Sequence, residues 1–214
     1  MSGASLDWFP DWSGQACIVV GGGPSAKDVG LDLAKGRARC LVVNEGYRLA
    51  PWADALYAAD SQWWTLKKGC SEFRGLRISQ SDEAAKRYGG IREVRLVRRG
   101  AIVRAPKGVI GAGSDDRGVG ANSGFQALNL AVQFGASKIV LVGYDMTAVH
   151  GCHWHGRHPD GMNNPTPGGL AQWGRVIDRN AAFLVAIGVK VINASPISAL
   201  QNFPKMTLEQ ALAD

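Results

Sequence analysis

Short runs of apolar and β-branched residues recur along this chain, separated by polar segments or by segments with helical spacing. Residues 16–21, 39–44, 55–60, 75–79, 93–97, 138–143 and 189–193 read as strands. Several are apolar at successive positions, as in CIVV, CLVV and KIVLVG. A strand without polar alternation is buried on both faces, which a parallel sheet achieves when helices cover each side. Residues 25–36 and 122–134 show helical spacing, and 168–187 is long enough for a substantial helix. The pattern predicts an α/β fold: a Rossmann-like, doubly wound, mostly parallel sheet with helices on both faces. One domain is expected to take up the whole chain, residues 1–214.

Two stretches fit neither period. Residues 107–121 (KGVIGAGSDDRGVGA) are Gly-rich and polar, and are expected to form a loop. Residues 149–167 hold all four histidines among many prolines and glycines, and are read as an active-site loop. Both adjoin strand ends, where open α/β sheets bind ligands.

Composition adds little beyond the class. With 46% hydrophobic and 20% charged residues among 214, the chain has the balance of a globular protein. No apolar run approaches bilayer length, and MSGASLDWFP has no basic region followed by an apolar stretch, so a cytoplasmic protein without a membrane span is expected. Cys17, Cys40, Cys70 and Cys152 form no CxxC pair, and Cys17 and Cys40 lie in apolar runs, as buried free thiols do. The net charge of +6 favours anionic ligands without choosing among them. Lys86, Arg87, Arg92, Arg95, Arg98, Arg99, Arg104 and Lys107 concentrate it into a solvated face or, alternatively, a nucleic-acid surface.

The sharpest motif is Gly21-Gly22-Gly23-Pro24-Ser25, directly after the first strand. Glycines allow a tight turn and close approach of a ligand, and Ser25 with Asp28 resembles a capping box. Free N–H groups at such a helix start would bind anions. Gly21, Gly23 and Ala26 also match G-x-G-x-x-A, with Glu45 near the ribose-binding spacing. With no second nucleotide half and no hydride-transfer constellation, an oxidoreductase is set aside. Asn44 and Asp60 end the next two strands and point toward the same crevice; capping or turn-making is the competing explanation. Asn122-Ser123-Gly124 begins a later helix with Ser123 as the expected N-cap.

Gly143-Tyr144-Asp145 follows the strand at 138–143, and the loop then supplies His150, His153, His155 and His158. A histidine there can take a proton from an attacking hydroxyl, and Tyr144 can hydrogen-bond a leaving phosphate. His153 and His155 share a face if locally extended, which leaves open a metal completed by His158 or Asp145. The spacing matches no established zinc pattern, and no metal is assigned.

IVVGGGPSAKDV, VVNEGYRLAPWADALYAAD, GANSGFQALNLAVQFGASKIVLVGYDM, the HWHGRHP loop and NASPISALQNFP together resemble the grouping of MptE-like 6-hydroxymethylpterin diphosphokinases and bacterial sialyltransferases, including short phage-encoded members. The resemblance runs over most of residues 16–204. It implies a nucleotide-binding transferase. Sialyltransferases of this kind use a CMP-sugar, a histidine base and no metal; the diphosphokinases move pyrophosphate from ATP to a pterin hydroxyl with Mg2+. By motif, Gly21, Gly22, Gly23, Pro24 and Ser25 would hold the nucleotide's phosphate side, and Asn44 would contact the donor. Asp60 falls where the sialyltransferases place an Asn. Asn122, Ser123 and Gly124 would flank the nucleotide, and Gly143, Tyr144 and Asp145 match a G-x-D turn. His153, or else His158, would be the base, and Asp145 is the remaining catalytic candidate. A lid with phosphate-binding tyrosines is not evident. The expected reaction is glycosyl transfer from a nucleotide sugar, without a cofactor, to the hydroxyl of a sugar, a pterin or DNA. Mg2+-dependent pyrophosphoryl transfer and a non-catalytic nucleotide- or nucleic-acid-binding module are the alternatives.

Overall fold

The computed structural model describes residues 6–159 and 162–214. Its strands are β1 (Ala16–Val20), β2 (Arg39–Val43), β3 (Ala55–Tyr57), β4 (Leu76–Ser79), β5 (Ile91–Glu93), β6 (Arg95–Val97), β7 (Val109–Gly111), β8 (Lys138–Val142) and β9 (Lys190–Asn193). Its α-helices are α1 (Ser61–Leu66), α2 (Asp82–Arg87), α3 (Ser123–Gln133), α4 (Pro167–Asp178), α5 (Ala181–Ala186) and α6 (Leu208–Ala213). Seven strands form one sheet in the order β5-β4-β3-β2-β1-β8-β9, and every pairing is parallel. This is the α/β Rossmann-like architecture that the apolar runs predict.

Successive residues of a strand face opposite sides, so the continuous runs feed two cores. Val19, Leu41, Tyr57 and Leu141 pack with Phe125 and Leu128 of α3, Val176 and Ile177 of α4 and Leu184 of α5. Ile18, Val20, Val42 and Val142 pack with Trp63 and Trp64 of α1, Ala84 of α2, and Leu208 and Ala211 of α6. Each fully buried Val, Ile or Leu contributes about 1.5–3 kcal/mol, and polar residues within these layers, such as Gln126 and Asn129, are hydrogen-bonded. Cys17, Cys40 and Cys70 are buried free thiols within these layers. Among the described residues no helix is long and apolar enough to cross a membrane.

The chain winds outward from β1 to β5, then crosses back to set β8 on the other side of β1. The order therefore reverses between β1 and β8, where an open α/β sheet leaves a crevice at its carboxyl edge. The register Ala16↔Lys138 through Val20↔Val142 ends both strands level, so the turns that follow them meet.

Four local expectations are corrected. Residues 25–36 form two 3₁₀ turns, Pro24–Lys27 and Leu31–Ala34, not a helix; Gly30 between them sits at φ +69°, a left-handed conformation that ends a right-handed helix. Residues 168–187 divide into α4 and α5 at Asn180, whose amide donates to Gly100 O at 2.7 Å and accepts from Ile102 N at 3.0 Å. That side chain satisfies a buried loop, a tertiary demand that helical spacing does not record. The strand read at 93–97 belongs to two sheets, since Val94 donates to Ser79 O and the chain then leaves to form β6. β6 pairs with β7, a short strand inside the stretch read as loop. Asn129 of α3 holds this second sheet, accepting from Val103 N and Gly111 N at 2.9 Å each.

Candidate functional site

A cleft of about 570 Å3 opens at the carboxyl edge where β1 meets β8. The structure brings Gly21, Gly22, Gly23, Asn44, Asp60, Asn122, Ser123, Gly124, Gly143, Tyr144, Asp145, His153 and His158 to its walls. Pro24 and Ser25 do not line it. Nor does His150, which lies exposed on the same loop as the other histidines.

The glycine turn is open to this cleft, but its amides are not free. Gly21 N donates to Val142 O at 2.7 Å, Gly23 N to Gly143 O at 2.9 Å, and Ser25 N to Asp145 Oδ2 at 2.8 Å. Ser25 Oγ donates to Asp145 Oδ1. Ser25 therefore sits inside a turn and caps nothing; the cap position belongs to Gly23. Only the N–H of Gly22 has no acceptor among the described residues. The glycines serve close approach within the protein: a Cβ on Gly23 would lie 2.6 Å from both Asp145 Oδ2 and Gly143 O. Gly143 at φ +69° would meet Ala26 at 2.8 Å. The expectation of a cradle of unpaired amides fails here because the turn after β8 has already taken them.

Asp145 is 1% exposed and both its oxygens are engaged by Ser25. Burial pushes its pKa up, against the two Ser25 hydrogen bonds. Tyr144 is wholly buried, and its hydroxyl donates to Gly124 O at 2.8 Å. Neither side chain offers a free group to a ligand, so the phosphate contact expected of Tyr144 and the catalytic role expected of Asp145 lack an available atom.

Free amides occur instead at the start of α3. Asn122, not Ser123, is the cap, its Oδ1 accepting from Phe125 N at 2.7 Å. Ser123 and Gly124 occupy the first helical turn, where an N–H has no intrahelical acceptor. Across the cleft Asn44 adopts φ +49°, a left-handed conformation uncommon for residues other than glycine, and its Oδ1 is buried without a partner. Asp60 is open to water on one side, yet desolvation by the cleft walls raises its pKa, against the influence of His158.

The loop after β8 returns to the glycine turn, where Trp154 N donates to Gly22 O at 3.0 Å. His153 packs against Gly22 so closely that a Cβ there would lie 3.0 Å from its Nδ1. His158 is fixed at the far end by Asn164 Oδ1, which accepts from its N–H at 2.8 Å. Between these anchors three imidazoles gather. His153 and His155 stack with centroids 5.1 Å apart, and His158 lies 4.6 Å from the first and 5.0 Å from the second. Burial, then His158 and His155, lower the His153 pKa to about 4. Burial and His158 lower that of His155, and burial lowers that of His158 against Glu45 and Asp60. Each shift favours the neutral ring, the form a general base needs.

Glu45 lies beneath this cluster, bonded to Lys67 at 2.7 Å and to Trp63 Nε1 at 3.3 Å. Desolvation, the largest influence, acts upward on its pKa, but Lys67, His155 and Trp63 together hold it below the usual range. Gln80, Ser81, Met162 and Trp173 also line the cleft, without any motif in the sequence to mark them. His155 could be anticipated from its alternation with His153. The basic residues at 92–107 line no part of the cleft; Arg92, Arg95, Arg98, Arg99, Arg104 and Lys107 are exposed.

No protein-family model and no curated protein matches the sequence. Among solved structures, the chain is similar to the sialyltransferase CstII from Campylobacter jejuni in complex with a substrate analogue, cytidine-5'-monophosphate. The identity is 12% over 92% of this chain and 86% of that one, with a TM-score of 0.54. It is likewise similar to the sialyltransferase CST-II in complex with a trisaccharide acceptor and CMP, at 14% identity over 91% and 87% of the two chains and a TM-score of 0.53. At these identities the likeness is one of fold. It agrees with the sialyltransferase side of the resemblance and gives no support to the pterin diphosphokinase or phage side.

Proposed function

We propose that this protein is a glycosyltransferase using a nucleotide-activated sugar, of the CMP-sugar type, to glycosylate an acceptor hydroxyl. The observation that carries the reading is the convergence of three imidazoles, a helix start with free amides and two strand-end polar residues on one open cleft. The fold shared with the CMP-bound sialyltransferases supports this reading.

In the proposed reaction the acceptor O–H gives its proton to a histidine of the cluster as its oxygen attacks the anomeric carbon. The bond from that carbon to the phosphate oxygen breaks, and the nucleoside monophosphate leaves with the electron pair. The Ser123 and Gly124 amides at the positive end of α3 would hold the departing phosphate. Asn44 and Asp60 would orient the donor. His153, His155 and His158 are the candidates for the base; the histidine cluster rather than Asp145 takes this role, because Asp145 is sealed against Ser25.

Mg2+-dependent pyrophosphoryl transfer fits the residues poorly. Magnesium takes hard oxygen ligands, yet Asp145 is engaged and Asp60 stands beside nitrogen donors.

The test is a thermal-shift screen with CMP, UDP, GDP, ATP and NAD, followed by assay of acceptor-dependent nucleoside monophosphate release. CMP is expected to raise Tm, and Asn44→Ala and Asp60→Asn to reduce that rise. A chain stabilised by none of these nucleotides, or by CMP equally in both variants, would overturn the proposal.

A further inference from the structure

We infer that His153, His155 and His158 bind one divalent transition-metal ion, zinc being the best match to the donors. One ring nitrogen from each residue lies within 4.8 Å of the other two. A tetrahedral ion with bonds of about 2.0–2.1 Å sets its nitrogen ligands about 3.4 Å apart, so small ring rotations complete the site.

Three further features favour an ion over mere packing. The Nε2 of His153 is buried without a hydrogen-bond partner, an arrangement that costs free energy unless something accepts the lone pair or proton. No imidazole of the cluster is hydrogen-bonded to another, although their centroids are 4.6–5.1 Å apart. Lastly, the charges around the cluster include carboxylates: Glu45 acts on His155 and His158, and Asp60 on His158. Their negative charge favours a cation held among the rings. Lys67 and Arg48 oppose this charge, but Lys67 and Glu45 are paired at 2.7 Å.

The loop is fixed at both ends of the ligand set, by Trp154 on Gly22 and by His158 on Asn164, so the ligands are held before an ion arrives. Nitrogen-only donors select zinc, cobalt, nickel or copper over magnesium and calcium. Three protein ligands leave a tetrahedral ion one position for water or substrate, and here that position adjoins the cleft. A ring nitrogen that binds the ion cannot take the acceptor's proton, so with the ion bound the base of the glycosyl-transfer reading would be the water or hydroxide in that fourth position; ion binding itself does not rest on that reading.

The experiment uses full-length protein freed of any affinity-tag histidines and dialysed against a chelator. Co2+ is titrated with visible absorption as the readout, and Zn2+ by competition and calorimetry. One equivalent should bind with the intense bands of tetrahedral Co2+, and Zn2+ should displace it. His155→Ala and His158→Ala should each weaken binding at least about tenfold, whereas His150→Ala, on the same loop but outside the cluster, should not. If an alanine variant fails to fold, the conservative Gln variants and the imidazole NMR signals of the wild-type protein during titration give the same discrimination. No stoichiometric binding, or binding indifferent to His155 and His158, would overturn the site. CMP binding measured in chelator separates the two proposals: retained without cobalt binding, it leaves the transferase reading standing and removes the metal.

Discussion

The two turns that close the sheet at β1 and β8, and the histidine loop that overhangs them, lie a few residues apart and obey opposite rules. In the turns nearly every polar group is spent on the protein itself: the Gly21, Gly23 and Ser25 amides, both Asp145 oxygens and the Tyr144 hydroxyl all have partners. Across the cleft wall the accounting reverses. His153 Nε2, Trp154 Nε1 and Asn44 Oδ1 are buried with no partner. A buried polar atom left unpaired costs about 1–3 kcal/mol, so this loop and its surroundings retain groups that a ligand can satisfy. The difference teaches that a glycine-rich turn can mark where a site is without being what binds.

The sharpest way to break this contrast is to separate turnover from stability. His155→Ala or His158→Ala should lower nucleoside monophosphate release by about 10²–10⁴-fold, while urea unfolding shifts by less than about 1 kcal/mol. Equal losses in both measurements would make the loop a structural element like the turns. Next in size is Gly23→Ala. Its Cβ would lie 2.6 Å from Asp145 Oδ2 and from Gly143 O, atoms of a backbone and a pinned carboxylate that cannot give way. A destabilisation of about 3 kcal/mol is expected, at the severe end of overpacking, measured by urea or thermal unfolding. A neutral Gly23→Ala would mean that the turn is loose and free to serve a ligand.

How much of this was legible follows from which forces leave a local trace. The seven-stranded sheet was, because CIVV, CLVV and KIVLVG each carry two-sided burial in their own sequence. The position of the cleft was also readable, since Gly21, Asn44, Asp60 and Gly143 all end or follow strands. The partner of each amide was not. Whether Ser25 N–H meets a phosphate or Asp145 depends on β1 and β8 being neighbours, and those residues are 120 apart in sequence. The same limit hid the break at Asn180, which answers to Gly100 and Ile102. Alternating His153 and His155 hinted at a shared face, but their closure with His158 depends on the chain doubling back to Asn164.

The smallest effect tests whether the floor beneath the histidines is structural as well as functional. Glu45 is almost wholly buried and paired with Lys67, whose side chain is 29% exposed. Lys67→Met leaves that carboxylate buried with fewer partners, though Trp63 Nε1 still donates and Arg48 lies 3.5 Å away. The expected cost is about 1 kcal/mol, because partial exposure screens the lost pair. The sign with pH follows from the lowered folded pKa of Glu45. Its stabilisation is present above the unfolded carboxylate pKa of about 4.3 and is lost as pH falls through the folded value. Unfolding curves of wild type and Lys67→Met should therefore differ at pH 7 and converge in acid. A gap that stays constant down to the lowest measurable pH would mean that Lys67 acts through packing of its aliphatic stem, and that the charge beneath the cluster is set by other groups.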